Sequence, residues 1–305
     1  MRNLQVYRYV DAVVRHGSIR KAAEGLAITP SALNRRILAL EDELGVPIFE
    51  RLGRGVRLST AGELIVDVFR RQLAEVEQVK SQIADLSGMR RGHVTIACSQ
   101  ALLPYALPEQ IETYQSRFPN VTFKVLNKDD YAAEESLLDY AADLAIVFEP
   151  LRSSEFQTLL SVRQPMHAVM ARRHPLGKHK TIKLSDCLTY PLALPAPPYA
   201  VRNVVELAAA QLLTRLSPSV ESDSYVFLRN FVARTRAIAF EIVIGVPPGQ
   251  IDKSIVSIPV ELPAAKIGSL RLVQLKGRTL SVAAARFADQ LTMSLLRDYT
   301  LADEN

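Results

Sequence analysis

The segment over residues 18–62, SIRKAAEGLAITPSALNRRILALEDELGVPIFERLGRGVRLSTAG, constrains this chain more than any other. Ser18 is a favourable helix N-cap, and Ala22, Ala23 and Leu26 follow it at helical spacing. Thr29-Pro30 places a hydroxyl cap before a proline at the first helical position, a start signal for a second helix. Leu33, Ile37, Leu40 and Leu44 then form one apolar stripe, Ser31, Asn34, Arg35 and Leu38 lie on the other side, and Gly45 ends the helix. Two helices across a tight turn, the second polar outside, predict a helix-turn-helix whose second helix enters a DNA major groove. After Gly45 the period changes. Ile48, Phe49, Val56 and Leu58 are interrupted by Gly53-Arg54-Gly55, which predicts a hairpin with an arginine at its tip. Single arginines are ordinarily solvated surface charge. Directly after a helix-turn-helix, however, Arg51, Arg54 and Arg57 read as a wing resting on phosphates or a minor groove. The candidate DNA contacts are Ser18, Thr29, Pro30, Ser31, Asn34, Arg35, Arg36, Arg51 and Arg54. Arg35 or Arg36 suits a bidentate contact to guanine, and Arg54 suits phosphate.

Around this segment the chain divides further. Residues 2–16 predict a supporting helix with Leu4, Tyr7, Val10, Val13 and Val14 inward. A long helical run to about Leu86 can be written in heptads. Phe69, Val76 and Ile83 take position a; Ile65, Gln72, Val79 and Leu86 take position d. So narrow a seam fits pairing between two chains better than packing on one domain. Ser87-Gly88 is a stop, and Met89 to Gly92 a short basic hinge. From His93, strands and helices alternate: VTIACS, VTFKVL and DLAIVF read as buried strands, with helices between. Such a pattern predicts a parallel sheet covered on both faces. Near residues 162–165 the chain enters a second lobe with strands MHAVMA, YPLALP, IAFEIVIG and IVSIPV. GSLRLVQLKG returns to the first lobe, and a closing helix follows with Ala285, Phe287 and Leu291 in its core.

These residues resemble the winged helix-turn-helix of LysR-type transcriptional regulators. The resemblance is carried by Leu4, Tyr7, Val10, Gly17-Ser18, Ala22-Ala23, Leu26, Ser31-Ala32, Ile37, Leu40-Glu41, Leu44-Gly45, Phe49, Arg51 and Ala61-Gly62, without gaps. Asn34 stands where the family often has serine, and Arg36 where it often has glutamine. In the second lobe Thr235 and Ala237 replace common glycines. The resemblance implies an α/β fold class: an N-terminal winged helix-turn-helix, a long linker helix, and a two-lobed effector domain like a periplasmic binding protein. The expected boundaries are residues 1–60, 61–90, 91–163 with 267–305, and 164–266. The implied partners are double-stranded operator DNA, a small-molecule effector between the lobes, a second or further copies of the chain as dimer or tetramer, and RNA polymerase. The alternative is a DNA-binding regulator whose sensor is degenerate and binds no metabolite.

Effector candidates follow from strand ends, where open α/β sheets bind ligands. Ser99-Gln100 lies at a strand-to-helix turn that can cap a helix or bind a carboxylate, and the resemblance adds weight to the ligand role. Asn127, Phe148, Glu149, Leu194, Pro195 and Tyr225 occupy comparable positions. An anionic metabolite is the favoured effector, with Glu149 opposing it unless Arg152 or Arg202 neutralises that carboxylate. The 305 residues, 48% hydrophobic, fit about two globular domains, and the net charge of +5 with pI near 9.2 is compatible with nucleic-acid binding. The N-terminus lacks the apolar run of a signal peptide, and no segment reads as a membrane span, so a cytoplasmic setting is expected. Cys98 and Cys187 read as reduced, buried thiols. His167, His174 and His179 lack metal spacing, no cofactor motif occurs, and no nucleophile elbow or P-loop supports catalysis.

Overall fold

The computed structural model describes residues 2–86, 91–148, 151–246, 253–262 and 268–300. The chain divides into two compact units, Met1–Leu86 and Ser87–Asn305. In the first, α1 (Arg2–His16), α2 (Ile19–Gly25) and α3 (Pro30–Leu44) precede a hairpin of β1 (Phe49–Arg51) and β2 (Val56–Leu58) and the long α4 (Thr60–Leu86). Tyr9, Val10, Val13, Ala22, Ala23, Leu33, Ile37, Ile48, Val66 and Phe69 make its core. Leu44, the last residue of the expected α3 stripe, is exposed instead.

The second unit runs through β3 (Gly92–Cys98), α5 (Ala106–Arg117), β4 (Val121–Asn127), α6 (Asp130–Leu138), β5 (Leu144–Phe148) and β6 (Phe156–Arg163). It continues with β7 (Met166–Ala171), β8 (Ile182–Lys183), α7 (Leu184–Cys187), β9 (Ala193–Pro195), α8 (Ala200–Gln211), β10 (Val220–Ser222) and α9 (Tyr225–Val232). β11 (Ala239–Ile242), β12 (Ile255–Glu261), β13 (Ser269–Leu275) and α10 (Val282–Thr300) complete it. One sheet has the order β4-β3-β5-β13-β6, another β11-β7-β12-β8, and β9 pairs with β10.

The first sheet is mixed rather than parallel. β3 runs parallel to β4 and β5, but β13 is antiparallel to both β5 and β6. The three strands read from the alternation are parallel, as expected; β13 comes back from the second lobe and inserts antiparallel between β5 and β6, which makes the whole sheet mixed. The segment IAFEIVIG is a strand only to Ile242, and a 3₁₀ turn takes Val243–Gly245. α10 buries Ala283, Ala284, Phe287 and Leu291, while Ala285 is only half-buried. The expected stop and hinge at residues 87–90 lie outside the described residues. Among the described residues no helix is long and apolar enough to cross a membrane.

Candidate DNA interface and inter-lobe cleft

The winged unit is fixed by short-range polar contacts. Ser18 Oγ accepts from Lys21 N at 3.4 Å, and Thr29 Oγ1 accepts from Ala32 N at 3.2 Å while contacting Ser31 Oγ at 3.2 Å. Pro30 begins α3, and Gly45 closes it in the left-handed region at φ 70°. Glu41 accepts from the N–H groups of Ile48 and Phe49 at 2.7 and 3.0 Å. That carboxylate pins the start of the hairpin to α3. At the other end Val56 N donates to Gly17 O at 3.0 Å. Gly55 adopts φ 87°, and a Cβ there would lie 2.5 Å from Gly17 O, so the wing can seat on the α1–α2 turn only with glycine.

The candidate cations have different neighbours. Arg36 donates to Tyr9 Oη at 2.6 Å and stacks its guanidinium over that ring at 5.1 Å. Arg36, expected to share base reading with Arg35, is thus held on α1. Arg51 donates to Asn34 Oδ1 at 3.3 Å, tying wing to recognition helix, and Arg57 pairs with Glu50 at 2.6 Å. Arg35 and Arg54 are exposed, and neither makes a side-chain hydrogen bond or ion pair among the described residues.

On α4 the expected seam splits. Phe69 stacks on Tyr7 with ring centroids 3.9 Å apart, Ile65 packs against the same core, and Arg70 bonds Asp11 at 2.8 Å. This half of the stripe is used within its own domain. The exposed apolar residues are Leu64, Val68, Val79, Ile83 and Leu86. At 100° per residue they fall on one side of the helix, where Val79, Ile83 and Leu86 of the expected seam are joined by Leu64 and Val68.

In the second unit the structure separates the sequence candidates. Ser99 and Gln100 are half-buried just beyond the C-terminal end of β3. The Gln100 amide accepts from Tyr225 N at 2.8 Å and donates to Asp223 O, so this side chain joins the two lobes at the start of α9. Asn127 is exposed at the end of β4. Phe148, Leu194, Pro195 and Tyr225 are core or near-core residues rather than free cleft walls. Phe148 N donates to Asp130 Oδ1 at 2.9 Å, and Pro195 O accepts from Arg202 at 3.2 Å. They sit at strand ends, as the pattern indicated, but their apolar side chains turn inward. Glu149 lies outside the described residues. Arg202, a suggested counter-charge for it, is committed to Glu206 at 2.6 Å and to Glu221.

Among the described residues, space between the lobes opens beside α6 and the start of α8. A cavity of about 110 Å³ is lined by the α6 turn with Asp129, Asp130 and Glu134, by Arg152, and by Ala200 and Asn203 at the start of α8. Glu134 is only 6% exposed, and burial raises its carboxyl above the ordinary range, against the pull of Arg152. Sequence reading missed Glu134 and Asn203 as cavity residues, since each sits inside a helix and no local pattern distinguishes it from a surface polar. Deeper in the second lobe, Arg229 and Glu241 form a buried bidentate pair at 2.8–3.1 Å, with Arg229 also donating to Gly245 O at 2.9 Å. Burial pushes Glu241 up to about 6, while the guanidinium pulls it down. Burial also pushes the thiols of Cys98 and Cys187 up to about 12, which disfavours their reactive thiolates. His174 caps the turn Pro175–Lys178 through Nδ1, and burial lowers His167 to about 4.

Two family models together span nearly the whole chain. Residues 4–63 match the bacterial regulatory helix-turn-helix protein of the lysR family, and residues 87–295 match the LysR substrate binding domain. The chain belongs to the LysR family of transcriptional regulators. It is 34% identical over 223 residues to the transcriptional regulator CysB of Burkholderia cenocepacia, covering 72% of this chain and 70% of that protein. It is 24% identical over 294 residues to the activator CmpR of a Synechocystis strain, covering 95% and 96%. In fold it is similar to full-length OxyR from Pseudomonas aeruginosa, with TM-score 0.73 and 21% identity over 96% of this chain and 94% of that one. It is also similar to full-length CbnR in complex with its target DNA, with TM-score 0.62 and 17% identity over 95% and 99%. This LysR-type regulator is therefore a DNA-binding protein with an effector-binding domain, of a family that binds operator DNA and small-molecule effectors. The match over residues 87–295 does not favour a degenerate sensor.

Proposed function

We propose that this LysR-type regulator acts in the cytoplasm as a homodimer or homotetramer, by binding rather than by catalysis, with RNA polymerase as a further partner. Residues 1–60 read the operator, 61–90 link and pair the chains, and 91–163 with 267–305 and 164–266 form the two lobes that sense a small molecule. The observation that carries the DNA reading is the pair of uncommitted cations, Arg35 on α3 and Arg54 on the wing, beside Arg36 and Arg51, which the fold already employs. Arg35 reads base edges; Arg54 holds phosphate; Thr29, Ser31 and Asn34 orient the start of the helix. The exposed face from Leu64 to Leu86 supports pairing through α4.

Titrations on cognate and scrambled DNA at several salt concentrations test this assignment. Arg35→Ala is expected to lose about 1–3 kcal/mol of discrimination between the two DNAs. Arg54→Ala is expected to weaken both equally and reduce the salt slope by about 1. Val79→Glu places a charge in the pairing face and is expected to yield monomers of that helix with much weaker operator binding. Full affinity in an unchanged oligomer would refute the pairing role. Unaltered discrimination in Arg35→Ala would remove the base-reading role.

A further inference from the structure

We infer that the inter-lobe cavity takes a small zwitterion of the α-amino acid class, and this rests on the effector reading just given. The decisive feature is a pair of opposite charges that face one cavity and do not meet. Glu134 is 6% exposed, and its carboxylate accepts a single long bond, from Arg152 N at 3.4 Å. No cationic side chain pairs with it among the described residues. The guanidinium of Arg152 stacks over the Tyr131 ring at 5.0 Å and has no carboxylate partner among the described residues. Both residues line the same cavity.

A buried carboxylate without a cation is costly, because burial penalises the charge and a single weak N–H bond returns little. The other nearby acids are already in use: Asp129 caps α6 through Ala132 N at 2.9 Å, and Asp130 accepts from Phe148 N at 2.9 Å. Across the cavity α8 begins at Ala200 behind Tyr199, which supplies no side-chain cap. The first N–H groups of that twelve-residue helix therefore present positive potential to the side of the cavity opposite α6.

A ligand ammonium completes Glu134, and a ligand carboxylate completes Arg152 and the start of α8. A plain carboxylate leaves Glu134 unpaired, and a plain amine leaves Arg152 unpaired, so neither fits as well as a ligand with both charges. The Gln100 side chain, expected beside Ser99 in the effector site, is spent on joining the lobes, so the proposal rests on Glu134 and Arg152 instead. The cavity of about 110 Å³ is well below the roughly 300–1,000 Å³ of drug-sized sites, so the ligand is small. Asn203 is placed to accept from or donate to its side chain.

The test uses the full-length protein in calorimetric titration and thermal melting. The probes are free L-amino acids with small side chains, their N-acetyl derivatives, the matched amines and the matched carboxylic acids. At least one amino acid is expected to raise the melting temperature, and each analogue missing one charge is expected to bind more than about tenfold more weakly. Glu134→Gln, which is isosteric, and Arg152→Gln, at an exposed position, are each expected to lose the same factor. Ligand-free melting verifies that both variants fold. Equal binding of the matched carboxylic acids, or wild-type affinity in Glu134→Gln, overturns the assignment. If no amino acid binds but another metabolite stabilises the protein and changes its DNA footprint, the zwitterion falls and the effector reading stands. If no metabolite of any class does so, both fall.

Discussion

Two arginine–glutamate sets in the effector domain have opposite arrangements. Arg229 and Glu241 are 7% and 2% exposed and meet in a bidentate bond reinforced by Gly245 O. Glu134 and Arg152 face one cavity and stay apart. The first set is complete without a ligand and holds α9 to β11 within one lobe. The second is incomplete, and its members come from segments on either side of β5. Residue type is the same in both; what distinguishes a structural pair from a recognition pair is whether the fold has already closed it.

Breaking the closed pair gives the largest expected effect. Arg229→Ala leaves Glu241 buried without a cation and is expected to destabilise the effector domain by about 3–5 kcal/mol. Urea unfolding that shows less than about 1 kcal/mol would place Arg229 among ordinary surface charges.

An intermediate case sharpens the gradient. Arg278 pairs with Asp143 at 2.5 Å and donates to Ala142 O at 2.6 Å, with side chains 12% and 18% exposed. Asp143 keeps a second donor, Thr95 N at 2.8 Å. Arg278→Ala is therefore expected to cost about 1.5–3 kcal/mol, less than Arg229→Ala. A larger loss than that of Arg229→Ala, measured in the same denaturant series, would reverse the order.

The open pair gives the smallest effect, with the opposite sign. Burial raises the Glu134 carboxyl, so the folded state holds that proton more tightly than the unfolded state does. The stability this contributes is present at acidic pH and is lost as pH rises through the raised value. Glu134→Gln removes the penalty, so without ligand it is expected to match wild type at low pH and to exceed it at neutral pH. Denaturant midpoints from roughly pH 4 to 8 check this. A variant less stable than wild type at neutral pH would show that the fold already satisfies the carboxylate.

The winged unit was largely legible from residue order, because its determinants act over a few positions. Ser18 and Thr29 bond N–H groups three residues on, and Gly45 closes α3 within one turn. The roles of Arg36 and Phe69 were not legible. Tyr9 and Tyr7 reach them from α1, and a heptad count contains no information about which side another helix will occupy. In the effector domain the sequence located the strands but not their full sheet order, nor which strand-end side chains stay free.

The sequence by itself determined the helix-turn-helix, the basic wing, the long linker and a two-lobed α/β domain, because caps, glycines and apolar periods are local and repeat along the chain. Only the tertiary structure decided that β13 enters the first sheet antiparallel, that Gln100 is spent on Tyr225 across 125 residues of chain, and that Glu134 and Arg152 share a cavity unpaired. Those outcomes depend on how the chain crosses twice between lobes. The partner of a polar group is then chosen by proximity in space, which residue order does not encode one position at a time.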